Sequence, residues 1–272
     1  MDLAVESLLA WKGVAVLVWF GAFFAAERLL PAAPRPAPLD EPGRGCGGLR
    51  LARNLGLWLV NAAISPLIVV PVSLLASEIA LAWRPEAWQG WPALLVDIVV
   101  LDFLIYWWHL ANHRVPLLWR FHEVHHLDRF LDATTAIRFH FGEVLLSAAA
   151  RAAVIFLLGF PILSILVFET LLLMAAVFHH SNLRLPAALE RPLALVIITP
   201  SIHWVHHHAR QTDTDSNYGT IFSFWDRLFA TRNRMARRLD MTIGVEGRDE
   251  QPFVRLFARP FLPTRLREAA EP

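Results

Sequence analysis

All twelve histidines of the chain lie between His109 and His208. Their spacing is the first sign of chemistry. His109 and His113 are four residues apart; His122, His125 and His126 form an H-x-x-H-H set, and His203, His206 and His207 form a second. On a helix, residues three and four apart share a face, with Cβ atoms roughly 5–6 Å apart. Each set can therefore aim two or three imidazoles at one point, as a metal requires of a rigid scaffold. Imidazole suits zinc, iron and copper. Scattered structural histidines would explain one such pair, but not three sets with His179 and His180 between them.

The count decides the kind of site. Nine or ten histidines exceed the needs of one tetrahedral zinc, which takes three or four ligands. Two metals with four or five nitrogens each use them up. An imidazole-rich pair of metals at the end of a membrane bundle suits iron and dioxygen, and an oxidant able to attack an unactivated C–H bond. An apolar bundle would admit a lipid chain and keep water from that oxidant. Ligating imidazoles also need partners for their other nitrogen; Asp102, Asn182, Asn217 and Asp226 are the candidates. Asp102 precedes His109 by close to two helical turns. His140 stands alone, either near the metals or structural.

Composition bounds the elements that must position these residues. The 272 residues are 56% hydrophobic with a mean hydropathy of +0.43, too apolar for an ordinary soluble domain of this size. Because the histidine sets must converge, one membrane-embedded unit is expected. The net charge of +1 gives no electrostatic case for nucleic acid. Cys46 is the only cysteine and Lys12 the only lysine, so an intrachain disulfide or a thiolate metal cluster is excluded.

In chain order, residues 8–30 are long enough to cross a bilayer, for which about 20 apolar residues suffice. Asp2 and Glu6 stand where a cleaved leader carries basic residues, so an uncleaved membrane helix is expected. The Pro-, Gly- and Arg-rich residues 31–53 read as a loop. Residues 55–82 form a second span, kinked near Pro66 and Pro71, followed by an interfacial connection with Trp88, Gly90 and Trp91. A third span covers 94–108 and contains Asp97 and Asp102, as functional carboxylates or as helix–helix hydrogen bonders. Residues 114–143 read as an interfacial helical cap, and 144–178 as two short passes turning at Gly159–Pro161. Residues 181–202 read as a surface amphipathic stretch, and the last thirty or so as a peripheral tail.

The expected fold is thus an all-α integral membrane protein with about four transmembrane helices, the last two as a short hairpin. A cytosolic helical cap holds the histidine-rich dimetal site. The divisions are membrane helices and loop in 1–95, a catalytic domain in 96–232 and a cytosolic tail in 233–272. Arg35, Arg44, Arg50, Arg53, Arg114 and Arg120 fall on the side of the histidines, against little beyond Arg84 opposite, which makes the histidine side cytoplasmic.

Six segments, DFLIYWWHLANH, LWRFHEVHH, TTAIRFH, FHHSNLRLP, TPSIHWVHHH and DTDSNYGTIFSFWDRLFATR, resemble in order and spacing the fatty acid hydroxylase superfamily, also called the sterol desaturase family. The resemblance covers residues 97–232 and implies a bacterial-type member, multi-pass in the inner membrane, that hydroxylates or desaturates lipids at a di-metal centre. The ligands it implies are His109, His113, His122, His125, His126, His203, His206 and His207, with His180 added from the HSN segment. His179 and His208 read as surface extras, and His140 falls in the family's FRFH segment. Asn217, Tyr218 and Gly219 would support the last set by hydrogen bonds. Leu110 stands where members usually carry Arg after the first histidine.

The favoured expectation is a di-iron lipid monooxygenase using O2, with zinc able to replace iron on overexpression. The one G-x-G-x-x-G match, Gly43 to Gly48, falls in the Pro- and Gly-rich stretch with no strand pattern before it, and no flavin or haem motif is present, so electrons are expected from a separate cytochrome b5-like or ferredoxin-type carrier. A zinc-dependent membrane hydrolase is the alternative, with Glu123 as its base and a metal-bound hydroxide as nucleophile. A non-enzymatic metal-handling protein is the third reading, disfavoured by the intact histidine sets.

Overall fold

The computed structural model describes residues 3–34, 46–85 and 88–262. The described residues contain helices and short turns, and no named strand. The helices are α1 (Leu3–Leu29), α2 (Cys46–Ile64), α3 (Val70–Glu78), α4 (Gly90–Arg114), α5 (Pro116–His126), α6 (Phe141–Leu158) and α7 (Ile162–His180). Five short ones follow: α8 (Ala187–Leu193), α9 (Pro200–His206), α10 (Gln211–Thr214), α11 (Phe224–Leu228) and α12 (Phe253–Ala258).

Five spans are long and apolar enough to cross a membrane, where about four were expected. They are Glu6–Leu29, Gly48–Glu78, Gly90–Arg114, Phe141–Leu158 and Ile162–His180. The second span joins α2 to α3 through a π-helical turn at Ser65–Val69, so the expected kink takes that form. Pro66 has no N–H to continue the α-helical ladder, and a π turn absorbs the mismatch. The hairpin turns where expected. Gly159 caps α6 in the left-handed conformation at φ +63, and Pro161 begins the return. A Cβ on Gly159 would meet the Leu81 carbonyl oxygen at 2.8 Å, so glycine fits on two counts.

Proline also sets the break that builds the cap. Pro116 disfavours helical geometry at Val115, which is extended (φ −93, ψ 115), and so α4 stops at Arg114 and α5 starts afresh. Thr199 before Pro200 is extended in the same way, and α9 starts there. The third span runs past its expected end at Trp108, so His109 and His113 sit on the last turns of α4 itself.

Two expectations are corrected around the cap. Residues 46–53 are helical rather than loop, because Arg50 and Asn54 reach into the cap from the start of α2. Arg50 bonds Asp128 at 2.6 Å and Asp132 at 2.6 Å, and Asn54 donates to Thr134 at 2.9 Å. Arg35 and Arg44 lie outside the described residues. The tail, in turn, is not peripheral through Leu262. Met241 and Ile243 pack with Phe130, Leu131 and Trp204, and Leu256 is buried with Leu57, Val124 and Leu127. Within the membrane layer the core joins α4, α6 and α7 through Ile98, Leu101, Ile155, Ile165 and Phe168. Asp97 there is a helix linker, bonded to Ser164 at 2.6 Å and paired with Arg84.

Candidate metal centre

The nine histidines fall into two groups. His109, His113, His122, His126 and His206 form one; His125, His180, His203 and His207 form the other. Within each group the candidate ligand atoms all lie within 4.8 Å of one another. The first group joins α4, α5 and α9, and the second joins α5, α7 and α9 and its C-terminal end. The H-x-x-H-H spacing divides each set between both groups: His122 and His126 go to the first while His125 goes to the second. The groups adjoin, with the His126 and His207 rings stacked at 4.3 Å.

Hydrogen bonds fix which nitrogen five of the rings present. His109 Nδ1 lies 2.8 Å from the Tyr218 carbonyl, His206 Nδ1 2.7 Å from that of Ser216, His125 Nδ1 3.1 Å from that of Arg138, and His180 Nδ1 2.8 Å from that of Ala176. A carbonyl only accepts, so each Nδ1 carries the proton and each Nε2 presents a lone pair. His122 Nδ1 donates likewise to Glu143 at 2.8 Å. His113 Nδ1 lies 3.4 Å from an Asp215 oxygen.

The lone pairs then converge. His180 Nε2 is 3.1 Å from His125 Nε2 and 3.0 Å from His203 Nε2, and His203 Nε2 is 3.1 Å from His207 Nε2. At the His125–His180 contact both facing atoms are lone pairs, which cannot bond each other, so a cation between the rings is what this donor set fits. In the first group the Nε2 atoms of His113, His122, His126 and His206 are buried without a hydrogen-bond partner. Those are the atoms a second cation would satisfy. Burial, and then neighbouring imidazoles, hold His125, His126, His203 and His207 well below the usual histidine range. Burial lowers His206 to about 3. These rings are neutral near pH 7, as ligation demands.

The other candidates take different places. His140 caps α6: its Nδ1 accepts from the Gly142 N–H at 2.9 Å, and its Nε2 donates to the Phe257 carbonyl at 2.9 Å. It belongs to neither group. His179 is buried rather than on the surface, its ring 4.1 Å from that of His203, yet it is outside both groups. His208 sits at the rim, bound to Asp213 at 2.8 Å.

None of the four expected partners hydrogen-bonds an imidazole. Asp102 accepts from the backbone of Ile221 and Phe222 at 3.1 Å and from the Trp225 indole at 2.8 Å. Asp226 accepts from Tyr218 N at 2.7 Å and Gly219 N at 2.9 Å. Together they fix the loop whose Tyr218 carbonyl meets His109, so NYG supports the first histidine set while Ser216 supports the last. Asn217, at φ 53, accepts from Asn233 N at 3.0 Å. Asn182 pins Ala33, accepting at 2.9 Å and donating at 2.8 Å. Leu110 packs beside Tyr106, Tyr218 and Trp225. Glu143 and Asp215 were missed. Glu143 carried a signal, a carboxylate on the first turn of a span, whereas backbone carbonyls carry none.

Comparison with known proteins places this geometry. The fatty acid hydroxylase family model matches residues 94–231. An ornithine lipid hydroxylase (OlsE) of Rhizobium tropici is 27% identical over 79% of this chain and 62% of its own length. The zebrafish (Danio rerio) alkylglycerol monooxygenase is 30% identical over 54% of this chain and 31% of its own. The cholesterol 25-hydroxylase of Rattus norvegicus is 29% identical over 65% and 59%. The chain thus spans less than two thirds of the length of these relatives. No solved structure matches.

Proposed function

This chain belongs to the fatty acid hydroxylase family, and we propose that it is a membrane-bound di-iron oxygenase that hydroxylates a lipid. The observation that carries the reading is the double convergence of imidazole nitrogens, from five histidines in one group and four in the other. Iron bound there, reduced by electrons from an external carrier, would activate O2 so that one oxygen atom enters a C–H bond of the lipid and the other leaves as water.

The chain's own residues supply the rest. Backbone carbonyls and Glu143 hold the imidazoles in the ligating tautomer, and the buried cap keeps bulk water from the centre. The helices end at the cap, so a lipid in the bilayer reaches the histidines without leaving the apolar layer. The arginine bias favours a cap on the cytoplasmic side, and the reading is of a bacterial inner membrane protein served there by a cytochrome b5-like or ferredoxin-type carrier. Hydroxylation is preferred to desaturation because the named relatives are hydroxylases and monooxygenases.

Glu123 weighs against the hydrolase alternative. It is buried and paired with Arg248 and with Arg259 at 3.0 Å, which leaves it unsuited to act as a base. The deciding experiment incubates the iron-loaded protein with membrane lipid, reductant and isotope-labelled dioxygen. Labelled hydroxylipid that disappears on iron chelation is expected. Unlabelled product, or turnover restored by zinc alone, sinks the oxygenase reading.

A further inference from the structure

A cavity of about 280 Å³ separates α4 from α6 within the membrane layer. Leu101, Leu104, Trp108 and Ala111 line it from α4, Ser147 and Arg151 from α6. Ten residues of helix separate Leu101 from Ala111, so the cavity runs roughly 15 Å along α4. Its upper end is at Ala111, level with His109 and His113 along α4 but about half a turn round the helix from them.

Arg151 is out of place in such a lining. A guanidinium has five N–H donors. Among the described residues Arg151 makes no hydrogen bond, and its Nε is buried without a partner. Its charged contact is Glu169 at 3.5 Å, and Glu169 is held more closely, at 2.9 Å, by Lys12. Two cations thus share one carboxylate, and all three residues lie within membrane-spanning helices. An unbalanced charge there is costly and marks a functional site by default.

We propose that this cavity binds the substrate lipid with a carboxylate seated on Arg151, which makes Arg151 the residue that selects the lipid and sets which carbon reaches the histidines. The inference rests on the lipid hydroxylase reading and deepens it. A carboxylate takes two parallel N–H···O bonds from a guanidinium and cancels the surplus charge. The apolar lining holds the chain, and the volume, at the small end of ligand sites, suits one chain rather than two. Arg151 is eight residues from Glu143, the partner of His122, or about 12 Å along α6. The carbon attacked therefore lies at a fixed distance from the carboxylate, set by the helix.

Trp107 and Trp108 line the cavity and provide the readout. A bromine-substituted stearate and its methyl ester are titrated into the full chain in nanodiscs, and tryptophan quenching is followed. The acid should bind about tenfold tighter than the ester. Arg151→Leu should abolish that preference and Arg151→Lys should keep part of it, with metal content and thermal midpoint unchanged. Ala150→Phe, which fills the cavity from α6, should remove binding of both probes. Equal binding of acid and ester, a preference that survives Arg151→Leu, or binding that survives Ala150→Phe overturns the proposal. Binding is read without turnover. Arg151-dependent binding in a protein that hydroxylates nothing would sink the oxygenase reading and leave the carboxylate site without its role in choosing a carbon, and the reverse pattern would sink this proposal alone.

Discussion

His125 and His180 face each other Nε2 to Nε2 at 3.1 Å, although each has its Nδ1 against a backbone carbonyl. Both Nδ1 atoms must donate, so the facing atoms are both lone pairs and repel unless a cation lies between them. The prediction concerns metal content. The gently purified protein should hold about two metal ions, and His180→Ala or His113→Ala about one each, since each change opens a different group. Chelation should lower the thermal midpoint, because binding to the folded state alone stabilises it. Elemental analysis showing full content in His180→Ala would remove the second site.

Glu143 tests the orientation of the first group. Its Oε1 accepts from His122 Nδ1 at 2.8 Å and also lies 3.5 Å from Asn112 Nδ2. Removing such a partner weakens metal binding by roughly 10–100-fold. Glu143→Ala should lose metal from the first group alone. Glu143→Gln, which keeps an acceptor oxygen, should lose less. Competition titration with a chromophoric chelator measures both, and equal effects of the two changes would deny the orienting role.

Eight of the nine histidines stood out because helical spacing follows directly from sequence, and H-x-x-H-H puts its members on one helical side; His180 came only from its likeness to the family's HSN segment. What spacing did not reveal is the division of one set between two groups, which depends on where α5 and α9 cross. The hydrogen-bonding partners were misjudged for a related reason. Asp102 is polar and two turns from His109, but its lone pairs are used up by the backbone of Ile221 and Phe222 and the Trp225 indole. The groups that do meet the rings are mostly carbonyls of Arg138, Ala176, Ser216 and Tyr218, which any residue type could supply. The tail escaped notice because Met241, Ile243 and Leu256 follow no periodic pattern, and only tertiary contact shows them to be buried.

Asp128 makes the cap sensitive to acid. Burial raises its pKa, but Arg50 and Arg138 outweigh that and hold it below the usual carboxylate range. A group depressed in the folded state stabilises fully above its unfolded value, about 3.9, and that stability is lost as pH falls through the folded value. The metal-free protein should therefore lose thermal stability steadily below about pH 4. Asp128→Asn, destabilised at pH 7 because Arg50 then keeps Asp132 alone as its charged partner, should show a flatter acid limb. Parallel acid limbs in the two proteins would remove Asp128 from the account.

Glu250 lies outside the region matched by the family, yet it holds a residue of the second histidine group in place. Arg138 is fully buried; it donates to the Val124 carbonyl at 2.9 Å, to Asn54 at 3.0 Å and to Glu250 at 2.8 Å. Its own carbonyl receives the His125 Nδ1 proton. Removing one partner of a buried pair costs about 3–5 kcal/mol, because the other charge stays buried. Glu250→Ala should therefore lower stability by an amount near the foot of that range, since the Glu250 side chain is 12% exposed. It should also loosen metal in the second group while the first stays filled. Replacing Glu250 together with Arg138→Met removes both charges and should recover most of the stability, but not the metal affinity if the Arg138 backbone shifts. Thermal melts with metal counts on the two variants and the unaltered protein separate these effects, and a Glu250→Ala protein with normal stability and both metals would show that Glu250 plays no part in the site.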